Sequence, residues 1–160
     1  MSPITAILHT KNDALRLGRA LEMLLPCDEI LVIDHDSQDA THRVAHHHGA
    51  RIVSAASAPA DRYLALAAYS WILCLQANES ISDRLQTALY EWKMAGPGTL
   101  AETPAFSMLV REETVAGWVN HPAPETRLVP RHWDRWLGQM PANDPSAMML
   151  DGELLRFALP

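Results

Sequence analysis

Three apolar runs in the first half of the chain each end in residues able to hold a ligand. Trp71-Ile-Leu-Cys-Leu75 gives way to Gln76, Asn78 and Glu79; Ile4 to Leu8 gives way to His9-Thr10-Lys11-Asn12-Asp13. Glu29-Ile-Leu-Val-Ile33 gives way to Asp34-His-Asp-Ser-Gln-Asp-Ala-Thr41. Carboxylate and amide oxygens accept hydrogen bonds and can coordinate a hard cation. A carboxylate that closes an apolar strand of a parallel sheet sits on the edge where ligands bind, which singles out Asp34. The groups around it have two uses each. Asp36, Ser37 and Asp39 either cap a helix and favour its dipole or meet a ligand. Thr10, Lys11 and Asn12 either form a plain loop with a capping Asn or line the same site.

Other chemistry-bearing residues are less pointed. His42 and His46 lie one helical turn apart and, with His47 and His48, suggest a metal, but no cysteine or carboxylate completes a set nearby. A solvated helix face is the simpler account. Trp118, Trp133 and Trp136 suit packing, with stacking on a sugar or contact with a lipid surface as the other use. Arg62 either reaches a ligand or lies along its own helix. Arg111, Arg127 and Arg131, brought together, would cradle phosphates without a metal. No Gly-x-Gly-x-x-Gly follows the first apolar run, which disfavours a dinucleotide-dependent oxidoreductase.

Positioning these groups requires strands alternating with helices. Ala14, Leu17, Leu21, Leu24 and Leu25 have helical spacing, and Pro26 and Asp28 break that helix. A second helix, capped by Asp36 or Ser37, runs through the histidines to Gly49, and Arg51 to Ser54 is a third strand. After a loop of small residues from Ala55 to Pro59, a helix from Ala60 to Tyr69 leads into the strand at Trp71. Ser80 is expected to cap a helix with the stripe Leu85, Ala88, Leu89 and Trp92, ended by Gly96-Pro97-Gly98. This alternation predicts a parallel sheet with right-handed crossovers, in which Thr10, Asp34 and Gln76 are neighbours on one edge. Beyond it, Phe106 to Val110 and Thr126 to Val129 read as strands paired around the turn-rich Gly117 to Pro124, and Met148 to Phe157 forms the tail.

The 160 residues suit one domain with a proper core. A net charge of -6 gives no broad basic surface, against nucleic acid as a partner. Cys27 and Cys74 lie in apolar settings and read as reduced thiols. No secretory signal opens the chain. The nearly apolar Tyr63 to Leu75 is interrupted by Ser70 and falls short of the roughly 20 residues of a membrane span. A cytoplasmic protein is expected, with at most peripheral contact at a membrane.

Placed in order, Ile4 to Asp13 with its Thr-Lys-Asn-Asp ending, Glu29 to Thr41 with Asp34, Ser37, Asp39 and Thr41, Arg62 heading the next helix, and Trp71 to Glu79 resemble the family 2 glycosyltransferases. Such enzymes move a sugar from a nucleotide diphosphate to an acceptor. The likeness is greatest to the bacterial subgroup that includes lipopolysaccharide-core glucosyltransferases, and it covers about the first 95 residues well. It implies an α/β fold with a mostly parallel sheet flanked by helices, of the nucleotide-diphospho-sugar transferase (GT-A) type. Residues 1–95 would be the nucleotide-binding half and residues 96–160 a reduced acceptor half.

The resemblance implies a nucleotide-diphospho-sugar partner, a UDP-sugar first, with Thr10 and Asn12 at the base or ribose and Asp34 at a uracil-type base. Asp36 or Asp39 would meet the ribose region, and Arg62 the base or phosphates. It also implies a divalent cation, Mg or Mn. The family's Asp-x-Asp is here Gln76-Ala77-Asn78, so Gln76, Asn78 and Glu79 stand at the metal position with amides that supply no charge. Asp144, in Pro141-Ala142-Asn143-Asp144, is the candidate for the base that takes the acceptor proton. Two functions follow: transfer to a cell-envelope or polysaccharide acceptor, or a catalytically inactive relative serving as a binding or interaction module.

Overall fold

Four runs of leucine and β-branched residues, bounded by polar turns, form the first half of the sheet. The computed structural model describes residues 1–55, 60–96 and 105–160, without the side chains of residues 60–62. In it β1 (Ile4–Thr10), β2 (Glu29–Asp34), β3 (Arg51–Ser54) and β4 (Trp71–Gln76) lie parallel in the order β3-β2-β1-β4. The register sets Thr10 beside Asp34 and His9 beside Gln76, so the expected edge is present.

Strand alternation serves two cores. Leu73 and Leu75 of β4 pack on the face covered by α1 (Leu17–Glu22), α2 (Thr41–His47) and α4 (Asp83–Ala95). Ile72 and Cys74 face Tyr63 and Ala67, at and just beyond α3 (Ala60–Leu66), together with Trp133. Both cysteines are free, and burial pushes each thiol up to about 12, well away from reactivity. Among the described residues no helix is long and apolar enough to cross a membrane.

The second half extends the sheet with mixed pairing. β5 (Glu79–Ile81), β6 (Phe106–Thr114), β7 (Gly117–Asn120), β8 (Glu125–Pro130) and β11 (Met148–Arg156) continue it in the order β4-β8-β6-β11-β5, with β7 folded back on β6. The expected pairing of Phe106 and its neighbours with the Thr126 strand is antiparallel, Phe106 opposite Leu128. β9 (Trp136–Leu137) and β10 (Met140–Pro141) form a separate hairpin turning at Gly138, whose φ is 63°.

Local boundaries differ from the sequence expectation for identifiable reasons. Ser82, not Ser80, caps α4 by accepting from the Leu85 amide, because Ser80 belongs to β5 and pairs with Leu155. α2 starts at Thr41, not at Asp36 or Ser37: Asp36 is left-handed (φ 60°), and Ser37 Oγ donates to Asp34 and accepts from the Asn12 amide. α1 is confined to Leu17–Glu22, and α3 stops at Leu66. Gly96 ends α4 at φ 79°, while Pro97 and Gly98, like Ala56 to Pro59, lie outside the described residues.

One close approach ties the halves together. β11 bulges between Met149 and Glu153, and Gly152 (φ 96°) presses on the first turn of α4. A Cβ there would lie 2.2 Å from the Leu85 nitrogen. The Ser82 amide donates to the Glu153 carbonyl, and the Glu153 amide to Ser82 Oγ.

Candidate functional site

The polar residues after β1 and β2 are spent first on one another. Asp13 accepts from Thr10 Oγ1 at 2.7 Å, from the Lys11 amide at 2.9 Å and from Arg16 Nε at 2.6 Å. Its own amide donates to Thr41 Oγ1. Across the gap, Asp39 accepts from the Ala14 and Thr41 amides and the Thr41 hydroxyl. Asn12 (φ 52°) completes the lock: its amide donates to Ser37 Oγ, and its Oδ1 accepts from the Gln38 amide. Two non-glycine residues in the left-handed region, Asn12 and Asp36, thus sit one on each loop. Such conformations cost of order 1–3 kcal/mol each and persist where surrounding bonds dictate them.

Asp34 is buried on this edge and accepts from the Ser37 amide and hydroxyl and from His42 Nε2 at 2.7 Å. Burial pushes its pKa up, but the bonds from Ser37 and His42 outweigh it and hold the carboxyl below its ordinary value. In Asp39 the bond from Thr41 has the same lowering effect. Asp36 is exposed and meets only Gln38 among the described residues. The helix that starts at Thr41 therefore carries one histidine with a task, His42, while His46 and His47 are the exposed face expected.

A two-part cleft opens beside these loops, over the ends of β1 and β4. Its polar part, about 510 Å³, is lined by residues including Asp13, Arg16, Gln76, Asn78 and Gln139. Its apolar part, about 480 Å³, has walls from Tyr63, Cys74, Trp133 and Trp136. His9 and Gln139 belong to both, which makes the two parts contiguous. Volumes of this size suit a small organic ligand. At the junction His9 Nδ1 lies 2.9 Å from His35 Nε2, and the His9 ring meets Tyr63 edge-on at 5.5 Å. Burial, and beyond it the His35 ring, lower the His9 pKa from 6.5 to about 4, so His9 is a neutral ring at pH 7, joined to His35 by one N–H···N bond.

The metal position is divided. Gln76 and Asn78 line the cleft; Asn78 also accepts from the Phe157 amide through its carbonyl, so the tail adjoins the cleft without filling it. Glu79 does not line it. Its side chain is 0% exposed and receives both Nη groups of Arg127 at 2.7 and 2.9 Å, Arg156 at 2.9 and 3.0 Å, and the Gln76 amide at 2.8 Å. Glu125 bonds the same two arginines. Burial opposes the Arg127 charge, but Glu79 and Glu125 outweigh it and keep the guanidinium protonated. Both Glu79 oxygens are therefore consumed inside a neutral buried quartet. Among the described residues no group of three or more His, Cys, Asp or Glu could hold a metal ion. Two neutral amides with no available carboxylate beside them do not fit a hard divalent cation.

The remaining candidates lie apart. Asp144 is buried off the cleft, accepting from Ser146 and from Arg135 Nη2 at 2.8 Å; the Ser146 bonds and Arg135 keep its carboxyl below the ordinary value. Arg111 stands near the Trp118 ring, Arg127 is in the quartet, and Arg131 donates to the Ala67 carbonyl, so these three do not form one cradle. The Arg62 side chain lies outside the described residues. Arg16, Tyr63 and Gln139 also line the cleft, with no sequence signal that singles them out, and His9 and His35, although inside the two polar segments, have no role assigned by residue type alone. Period-2 alternation along β1 was the available signal for His9, since it sends the neighbour of Thr10 to the other face.

No family model matches the chain. An uncharacterized glycosyltransferase of Rickettsia felis is 33% identical over 94 residues, covering 54% of this chain and 32% of the relative. One of Rickettsia bellii is 33% identical over 91 residues, covering 52% and 30%. The matched stretch thus spans about a third of the length of these curated relatives. S. aureus TarS (residues 1–349) superposes on 76% of this chain and 38% of its own, with a TM-score of 0.54 and 16% identity. The fold is of the GT-A glycosyltransferase type. Glucosyl-3-phosphoglycerate synthase of Mycobacterium tuberculosis, solved with Mn2+ and UDP, covers 69% of this chain and 43% of its own at 21% identity. The TM-score of that superposition is 0.49.

Proposed function

We propose that this is a glycosyltransferase-like protein of family 2 type that binds a nucleotide-diphospho-sugar, a UDP-sugar first, across the ends of β1, β2 and β4. The observation that carries the reading is the register of Thr10 beside Asp34 and His9 beside Gln76, at the mouth of a contiguous polar and apolar cleft. The glycosyltransferase name shared by relatives that match about half the chain supports it. In this reading residues 1–95 form the nucleotide half and residues 96–160 the acceptor half, and the acceptor is a cell-envelope or polysaccharide sugar, as in the lipopolysaccharide-core subgroup. Thr10, Asn12, Asp34 and Asp39 act by holding the rim of the site in shape. Asp36, with only Gln38 as partner among the described residues, is the carboxylate left to meet a ribose hydroxyl, and Arg62 approaches the base or phosphates.

A second reading, binding without transfer, is favoured by a specific observation. Transfer leaves a diphosphate of growing negative charge and needs a base for the acceptor hydroxyl. Gln76 and Asn78 bring no charge, Glu79 is consumed by Arg127 and Arg156, and Asp144 is held by Ser146 and Arg135 away from the cleft.

The discriminating experiment is incubation with UDP-hexoses, Mn2+ or Mg2+ and a set of cell-envelope and polysaccharide glycans as acceptors, measuring nucleotide binding by calorimetry and UDP release in parallel. Binding with sustained release supports the transferase, and binding without release supports the inactive relative. Absence of binding to uridine and guanosine nucleotides alike would overturn both.

A further inference from the structure

We propose that Arg16 binds the diphosphate of the nucleotide in place of a divalent cation, an inference that rests on the nucleotide-binding reading of the cleft. The polar part of the cleft has one cationic side chain among the described residues that line it, and that is Arg16. Its Nε donates to Asp13 Oδ1 at 2.6 Å, which fixes the guanidinium plane. Asp13 is itself fixed, buried and accepting from Thr10 Oγ1 and the Lys11 amide. Among the described residues neither Nη group of Arg16 has a hydrogen-bond partner, and the side chain is 38% exposed at the cleft wall.

A guanidinium held by its Nε with both Nη groups free is set to fork onto phosphate oxygens, the geometry in which arginine exceeds lysine. The other groups at this end suit the same ligand. Gln76 brings amide N–H donors and Asn78 one more, its Nδ2 also reaching the Phe157 carbonyl at 3.5 Å, and these are the residues that make the position unfit for a metal. The carboxylates that would repel a diphosphate are already engaged: Asp13 by its three donors, and Glu79 inside the quartet. The substitution of amides for carboxylates and the presence of a tethered arginine are thus two sides of one arrangement. Positive charge reaches the phosphates from the chain and not through a cation.

The test is calorimetric titration of UDP and of uridine into the protein and its Arg16→Gln and Arg16→Lys variants, in EDTA and again in Mn2+. UDP is expected to bind in EDTA with an affinity that Mn2+ changes by less than about twofold. Arg16→Gln is expected to weaken UDP about tenfold or more and leave uridine unchanged, consistent with loss of a charge-assisted pair, and Arg16→Lys to restore only part. UDP binding that survives Arg16→Gln intact, or that appears only with Mn2+, would overturn the inference while the nucleotide reading stands. Failure of both UDP and uridine to bind the unaltered protein would overturn the two together.

Discussion

Replacing Glu79 by glutamine should cost the protein about 3–5 kcal/mol of stability. The carboxylate is fully buried and receives four bonds from Arg127 and Arg156, and Arg127 is itself only 2% exposed. Glutamine keeps the shape but turns an N–H2 group toward a guanidinium and leaves two arginines against Glu125 alone, an uncompensated buried positive charge. For a chain of this length each kcal/mol moves Tm by about 2–4 °C, so a fall of about 6–20 °C is expected. Urea unfolding followed by tryptophan fluorescence gives the free energy directly. The paired change Glu79→Leu with Arg127→Met removes one charge of each sign and fills the space with apolar atoms, and should recover at least half of the loss. A Glu79→Gln protein as stable as the parent to within about 1 kcal/mol, yet deprived of Mn2+-dependent ligand binding, would refute this reasoning and return Glu79 to the metal.

Gly152→Ala should destabilise by about 3 kcal/mol or more, since its φ of 96° is strained for alanine and the new Cβ would meet the Leu85 backbone at 2.2 Å; a urea midpoint shift reads this out. The His9 pKa of about 4 lies below the unfolded value of 6.5, so its contribution is fully present above pH 6.5 and is lost as pH falls toward 4. Between pH 7 and pH 5 that amounts to about 2 kcal/mol, and His9→Gln should flatten the corresponding slope in unfolding experiments. Gln76→Asp with Asn78→Asp should create Mn2+-assisted UDP binding absent from the parent; a folded double variant that binds UDP no better in Mn2+ than in EDTA would remove these residues from the metal position.

Much of the fold of residues 1–95 was legible because its strands are continuous apolar runs closed by polar residues. That pattern predicts a sheet buried on both faces, and the register of Thr10 with Asp34 follows from it. Local competition hid the start of α2: Asp36, Ser37 and Asp39 look like caps, but Asp36 is left-handed, Ser37 bonds Asp34 and the Asn12 amide, and Asp39 is shared between Thr41 and the Ala14 amide. Ser80 and Ser82 are equivalent as capping residues in sequence, and only the pairing of β5 with β11 decides between them. The fate of Glu79 was not legible at all. Its partners lie 48 and 77 residues away, and an ion pair between distant positions leaves no periodic signal. Arg16 was hidden for the opposite reason, since its tether to Asp13 spans three residues and resembles any local helix-start pair.

A nucleotide-diphosphate site at the edge of β1, β2 and β4, served by the chain's own donors, predicts specific changes in chemical-shift mapping of UDP on the 15N-labelled protein in EDTA. Saturable shifts are predicted for the side-chain amides of Gln76, Asn78 and Gln139, the Arg16 Nε–H and the His9 imidazole. Saturable binding that leaves all of these unmoved while shifting residues along β6 and β7 would contradict it.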